Sequence, residues 1–273
     1  PPGSTEMPSA GASETTPGRP YIHPMLPIRD DNPSYLKPVV TLLLIGLNFA
    51  AWLLVQGLGS DPALPESICR LGLIPGELLQ TAPVGSGFQM GRGVGCLITD
   101  QPGWSTLITS MFLHGGWLHL LGNMWFLWVF GNNVEDSMGH GRFAVFYLLT
   151  GVLGAATQVV LEPTSIVPMV GASGAISGVM GAYIVLYPRV RVHMLTFFIL
   201  PFRFVVPAWV MLGYWFLLQL VGTVPAVASE SGGVAFAAHA GGFAAGMVLI
   251  GLFKDRGLIA RRNQALRWSG WRV

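Results

Sequence analysis

Two side chains that could do chemistry lie inside apolar stretches of this sequence, Ser173 and His239. Ser173 belongs to a run of mostly small residues, 171–178, that reads GASGAISG. A serine hydroxyl becomes a good nucleophile when a neighbouring base takes its proton, and histidine is a common base. The pair therefore indicates nucleophilic catalysis within a hydrophobic layer. Taken alone, a serine in an apolar helix more often bonds its own backbone, so the other polar residues of these stretches matter.

A second group of polar residues has helical spacing. His119 and Asn123 are four residues apart and share one helix face, as Ser173 and Ser177 do. His114 directly precedes the same stretch as His119. Ionisable or strongly polar groups at membrane depth are costly and usually functional. A further amide, Gln219, is expected to stabilise helix packing rather than to take part in chemistry.

The composition predicts that these stretches cross a membrane. The chain is 52% hydrophobic and 10% charged, whereas soluble domains have about 25% charged residues. Segments long enough for a hydrocarbon core predict an all-α polytopic membrane protein with six spans. The expected spans are 39–58, 115–131, 142–161, 171–187, 205–224 and 234–253. The apolar run 192–202 is too short to cross and is expected to be a loop at the interface.

The polar groups fall at similar depths within these spans. At a rise of about 1.5 Å per residue, His119 lies about 6 Å and Asn123 about 12 Å below the outer boundary. The same arithmetic puts His239 about 8 Å and Ser173 about 9 Å below it. Four groups from three helices thus share one layer, which predicts a single water-filled pocket open to the outside.

Lysine and arginine predict the orientation of the spans. With six spans, thirteen of the 15 basic residues fall on the side of both termini, and only Arg70 and Arg92 on the other. We therefore expect both termini of this multi-pass protein to be cytoplasmic. We also expect the membrane to be a bacterial plasma membrane. The expected organisation is a flexible cytoplasmic tail (1–37), a membrane domain (38–253) with a long outer loop (59–104), and a basic cytoplasmic tail (254–273).

The two cysteines, Cys69 and Cys96, both fall in the predicted outer loop. An oxidising exterior would allow a disulfide between them. Two unpaired thiols are the alternative, and the sequence leaves both open.

The polar set can support acyl transfer. Because the spans contain no Asp or Glu at this depth, Ser173 and His239 would form a dyad rather than a triad. His119, the Asn123 amide and the backbone N–H of Ser173 could stabilise the oxyanion. His114 and Ser177 are expected to support the pocket. No metal site and no cofactor are expected.

The motifs formed by these residues resemble those of the rhomboid intramembrane serine proteases, over about residues 38–253. They are His119-x-x-x-Asn123, Gly171-x-Ser173-Gly174 and Ala238-His239-x-x-Gly242-x-x-x-Gly246. The resemblance implies a six-transmembrane-helix bundle whose Ser–His dyad cleaves transmembrane segments of other proteins near the outer face. Its partners would be transmembrane substrates and the lipid bilayer, not nucleic acid; the oligomeric state stays open. Some members carry an aromatic residue four positions after the nucleophile, where this chain has Ser177.

Two other classes of function fit parts of the sequence. The first is a catalytically inactive rhomboid-like protein that binds client helices, although such relatives lack the dyad that Ser173 and His239 would form. The second is a metal or proton transporter built on His114, His119 and His239. Transporters of that kind usually need carboxylates within their spans, and none is present here.

Overall fold

The computed structural model describes residues 25–90, 94–197, 201–229 and 235–268. Its helices are α1 (Val39–Leu54), α2 (Ala63–Leu71), α3 (Pro75–Leu78), α4 (Thr106–Thr109), α5 (Trp117–Met138), α6 (His140–Leu161), α7 (Ser173–Leu186), α8 (Ala208–Ser229), α9 (Phe236–Phe253) and α10 (Arg256–Trp268). Its strands are β1 (Met25–Asp30), β2 (Gly87–Met90), β3 (Val94–Leu97), β4 (Arg191–Phe197) and β5 (Pro201–Pro207).

A helix lies at each of the six predicted spans. These are α1 and α5 to α9, and their bounds differ from the predicted ones by a few residues at most ends. Among the described residues, α6 and α9 are both long and apolar enough to cross a membrane. Three shorter apolar helices accompany them, namely α1, α7 and the part of α8 that covers Ala208–Val224. The predicted helical character of the domain is therefore confirmed.

Glycines bring α7 and α9 into backbone contact. A Cβ on Gly242 would overlap the carbonyl oxygen of Gly174, and a Cβ on Gly246 would overlap that of Gly178. Such close approach is the usual role of small residues between membrane helices. It allows short side chains on the two helices to reach each other, which matters for Ser173 and His239.

The predicted all-α class is wrong in one respect, because β1, β4 and β5 form an antiparallel sheet in the order β1-β4-β5. The run 192–202, expected to be an interfacial loop, contains most of β4 and the start of β5, and these two strands pair with each other. Val192, Met194 and Thr196 are buried while His193 and Leu195 are half-buried, which is the period-two pattern of a strand. We call the end of the bundle that carries this sheet the sheet end.

The predicted N-terminal tail is shorter than expected. Met25 pairs with Thr196 and Asp30 with Val192, so β1 is part of the sheet, and only residues 1–24 of the tail lie outside the described residues. The basic C-terminal segment also differs, because α10 packs on the domain through Arg262. This side chain is 2% exposed, and its Nε lies 3.0 Å from the carboxylate of Asp136. Residues 269–273 lie outside the described part.

Acidic residues at the end of α5 support the sheet end. The α1 helix begins after Pro38 without a side-chain cap of its own. The Glu135 carboxylate instead accepts hydrogen bonds from the backbone N–H groups of Val40 (2.9 Å) and Thr41 (2.8 Å). Helix N-termini have free N–H groups that an anion satisfies well, so Glu135 caps α1 from a neighbouring helix.

The segment 59–104 is structured rather than an open loop. It contains α2, α3 and the β2–β3 hairpin. Cys69 and Cys96 form a disulfide, which joins α2 to β3 and resolves the alternative that the sequence left open.

Candidate active site

Ser173 and His239 meet between α7 and α9. Ser173 is the first residue of α7, and His239 lies in the first turn of α9. The Ser173 Oγ lies 2.7 Å from the His239 Nε2, within hydrogen-bonding distance. Residues 66 positions apart in the chain are thus brought together, as the sequence predicted.

A third side chain holds the histidine. The Gln219 Oε1 on α8 lies 2.8 Å from the His239 Nδ1, and Gln219 is 8% exposed. The Gln219 Nε2 donates to the Trp215 carbonyl oxygen at 3.4 Å, which assigns the orientation of the amide. Because Oε1 can only accept, the proton of a neutral His239 lies on Nδ1. The Nε2 lone pair then faces the Ser173 hydroxyl, as a general base requires.

The interpretation of Gln219 as a packing residue was therefore incomplete. The sequence did contain a signal for it, since a buried amide in an apolar span is as unusual as a buried histidine. What the sequence lacked was the contact, because spacing within α8 does not tell which helix the amide faces.

Trp215 on α8 lies beside His239, whereas some members of the resembled family carry an aromatic residue on α7, at the position of Ser177. The two ring centroids are 5.9 Å apart with an interplanar angle of 36°. Ser177, at that α7 position, is fully buried, and its hydroxyl donates to the Ser173 carbonyl oxygen at 2.6 Å. Ser177 therefore supports the first turn of α7, and Trp215 packs against the histidine instead.

His119 and Asn123 lie one turn apart on α5, and His119 lies close to Ser173. The His119 Nδ1 accepts the Gly115 N–H at 3.3 Å, which leaves Nε2 to carry the proton in the neutral ring. A Cβ atom added to Gly171 would lie 2.8 Å from the His119 Nε2 and 3.5 Å from the Ser173 Oγ. The absence of a side chain at Gly171 therefore leaves a small space that both His119 Nε2 and Ser173 Oγ border. Gly171 has φ +129°, a conformation that favours glycine.

Asn123 is buried at 8% exposure, and its Nδ2 has no hydrogen-bond partner among the described residues. An unpaired buried donor costs free energy, so this Nδ2 group is available to an acceptor that reaches it. The first-turn N–H groups of α7 likewise have no acceptor within their own helix. These donors are suited to a developing oxyanion.

His114 braces the entrance to α5. It is fully buried, and its ring stands edge-on to that of His119 with centroids 5.1 Å apart. Its backbone N–H and carbonyl both bond the Gln56 amide at 2.8 Å. The side chain thus contacts one of the candidate oxyanion donors rather than Ser173.

A small cavity adjoins Ser173. Its volume is about 20 Å³, enough for one water molecule. Its walls consist mainly of small residues and methionines, including Met111, Gly151, Met169, Gly174 and Ala238. Among the described residues, no three His, Cys, Asp or Glu side chains come together as a metal site.

Comparison with known proteins identifies the fold. The model of the Rhomboid domain matches residues 101–256, more than half of the chain. The chain belongs to the rhomboid family. Rhomboids are integral membrane proteins, and the family includes intramembrane proteases, so this chain is a membrane protein of that family.

Several curated rhomboids are similar to this one. Rhomboid protease GluP of Bacillus subtilis is 43% identical over 82 residues, which are 30% of this chain and 16% of that protein. Rhomboid protein 1, mitochondrial, of Saccharomyces cerevisiae is 32% identical over 171 residues, 60% of this chain and 46% of the relative. RHOMBOID-like protein 5 of Arabidopsis thaliana is 28% identical over 176 residues, which are 61% of this chain and 54% of the relative. The matches thus cover about half or less of these relatives.

Proposed function

We propose that this rhomboid is an intramembrane serine endopeptidase in which Ser173 is the nucleophile and His239 the general base. The observation that carries the proposal is the 2.7 Å contact between Ser173 Oγ and His239 Nε2, with His239 Nδ1 bonded to Gln219. An inactive client-binding protein would have no need of this arrangement.

The chemistry divides into two steps. In the first, Ser173 Oγ attacks the scissile carbonyl carbon while its proton passes to His239 Nε2. The negative charge on the carbonyl oxygen is stabilised by His119 Nε2–H, Asn123 Nδ2–H and the Ser173 backbone N–H. His239 then gives the proton to the leaving amine, and the acyl group stays on Ser173. In the second step His239 takes a proton from water, the resulting hydroxide attacks the ester, and Ser173 regains its hydrogen.

The proposed substrates are membrane proteins whose spans unwind near the active site. A helix hides its carbonyls in intrahelical hydrogen bonds, so about one turn must open before Ser173 can attack. Gly or Pro in the substrate lowers that cost by about 1–3 kcal/mol. The 20 Å³ cavity beside Ser173 favours a small side chain next to the cut.

The proposed topology has six spans with both termini in the cytoplasm, in a bacterial plasma membrane. It rests on six helices at the predicted spans and on the thirteen-to-two distribution of basic residues. Ser173 then lies about 9 Å below the outer boundary, so cuts are expected in the outer third of the substrate span.

The test compares three forms of the full chain in detergent: wild type, Ser173→Ala and Ser177→Ala. A fluorophosphonate probe should label wild type and the Ser177 variant but not the Ser173 variant. Ser177 is the matched control because it is a serine one turn later in the same helix. Its hydroxyl bonds the Ser173 carbonyl oxygen and not His239, so its loss can slow labelling but should not abolish it. Labelling of the Ser173 variant would identify another nucleophile, and no labelling of any folded form would favour the client-binding alternative.

The second test places the cut. Each form is reconstituted in liposomes with a single-span reporter that has Gly and Pro in its outer third, and the products are mapped by mass spectrometry. Cuts near the cytoplasmic boundary would contradict the proposed topology. Products that persist with Ser173→Ala would contradict the assignment of the nucleophile.

A further inference from the structure

A large cavity at the sheet end is lined by none of the candidate active-site residues. Its volume is about 940 Å³, and it lies between the turn after α7, the segment after β1, and α10. Its polar lining includes Arg189, Arg191 and Asn263, and its apolar lining includes Leu186, Trp209 and Ile259. We call it the sheet-end cavity. None of the proposed catalytic steps uses it.

The charge of the lining favours a monoanion. Arg262 is already satisfied: it pairs with Asp136 and bonds Asn32, the Pro33 carbonyl oxygen and Asn263. Arg191 Nε lies 3.1 Å from Asp31. Arg189 is exposed and forms no ion pair with any described residue. Asp136 neutralises the charge of Arg262, and Asp31 neutralises that of Arg191. Of the described arginines that line the cavity, Arg189 is then the one whose positive charge is not neutralised.

The apolar lining places the cavity at the edge of a membrane-embedded layer. Leu186 is the last residue of α7, and Trp209 is the second residue of α8, 56% exposed. Tryptophans at the ends of apolar helices typically sit at the level of lipid headgroups. The side chain of Ile259, on α10, adds apolar surface opposite them.

The neighbouring helix adds positive charge. Arg256, Arg261 and Arg267 of α10 are all exposed. Basic side chains next to a membrane are attracted to anionic lipids. A small free anion would use only the arginines, whereas a lipid would also cover the exposed Trp209 and the apolar wall.

From these contacts we propose that the sheet-end cavity binds the phosphodiester headgroup of an anionic phospholipid. Arg189 and Arg191 bind the phosphate, Asn263 donates to headgroup oxygens, and Trp209 and Leu186 contact the first methylenes of the acyl chains. The lipid would join α7, α8 and α10 at the sheet end. The proposal is independent of the proteolytic activity, so the two can fail separately.

The experiment measures lipid binding to the full chain. Delipidated protein in detergent is mixed with phosphatidylglycerol, phosphatidylcholine or glycerol phosphate, and bound lipid is counted by native mass spectrometry alongside the apparent melting temperature. Wild type should retain phosphatidylglycerol in preference to phosphatidylcholine and should be stabilised by it. Glycerol phosphate, which has the phosphate but no acyl chains, should have little effect.

Two variants locate the site. Arg189→Gln should bind phosphatidylglycerol about fivefold more weakly, the effect of one basic residue near an anionic surface. Arg203→Gln is the control, because Arg203 is an exposed arginine of β5 that does not line the cavity. Since Arg189 has no ion-pair partner among the described residues, its substitution should leave the melting temperature without lipid unchanged.

Three results would overturn the proposal. Equal binding of the two lipids by wild type would remove the headgroup preference. An equal loss in both variants would show general attraction to the basic surface. Stabilisation by glycerol phosphate as large as that by phosphatidylglycerol would assign the cavity to small phosphate compounds instead of lipid.

Discussion

Replacing Gln219 tests whether His239 is oriented by a neighbour. In Gln219→Leu the side chain keeps a similar size but loses the acceptor that lies 2.8 Å from His239 Nδ1. The Nδ1–H group would then be buried without a partner, at a cost of about 1–3 kcal/mol. The ring would also lose the contact that selects the tautomer with a free Nε2.

The expected kinetic effect follows from that cost. If the whole cost of about 1–3 kcal/mol destabilises the His239 orientation that reacts, the rate drops about 5-fold to 150-fold, because about 1.4 kcal/mol is a factor of ten in rate. The assay is the second-order rate of fluorophosphonate labelling of Ser173 in detergent, which needs no known substrate. The melting temperature of each variant is measured in parallel, because Gln219 is buried and its loss could also loosen α8.

Gln219→Glu is the matched variant. It keeps an oxygen acceptor at the same distance from His239, and it should restore most of the rate that the leucine variant loses. A leucine variant that labels at the wild-type rate would refute the orienting role. If both variants lose the same rate and the same stability, Gln219 acts through helix packing alone.

Three further predictions concern the scaffold. Burial raises the pKa of Asp30 from 3.8 to about 6, so its protonated form favours folding; this contribution is full below pH 3.8 and is lost as the pH rises through about 6. The free energy of unfolding should therefore fall by up to about 3 kcal/mol across this window, and the melting temperature should fall with it. Asp30→Asn should make the melting temperature less dependent on pH, and an unchanged pH dependence in that variant would contradict the role of Asp30. Replacing Cys69 and Cys96 by Ser should cost about 2–4 kcal/mol, and thiol titration of the unreduced, unfolded wild type should find no free thiol; two reactive thiols would rule the disulfide out. Gly246→Val should separate α9 from Gly178, lower the melting temperature and abolish labelling, while Gly251→Val, with open space around its Cβ position, should do neither.

Local properties of the chain predicted the helices and the residues of the proposed catalytic pair. Runs of apolar residues are long enough to identify helices wherever they occur, because the hydrophobic length requirement acts on each segment separately. The rarity of polar groups in those runs identified Ser173, His239, His119 and Asn123. These inferences need no knowledge of which helix packs against which.

The sheet shows where local reasoning was insufficient. The run 192–202 was interpreted as a loop because it is too short for a span, although its alternation of buried and half-buried residues is that of a strand. β1 was assigned to a flexible tail because its own composition cannot bury enough surface to fold alone. β1 becomes a strand by pairing with β4, as in the contact of Met25 with Thr196, which are 171 positions apart, whereas β4 also pairs with the nearby β5.

The support of His239 likewise depended on tertiary structure. Ser177 occupies the position where some relatives carry an aromatic ring, and the sequence offered no replacement. Packing of α8 against α9 brings Trp215 and Gln219 to the two sides of the imidazole that Ser173 does not contact. Residue types and spacing indicate what a segment can do, but which side chain faces which partner depends on helix rotation and crossing, and these are set by the packed bundle as a whole.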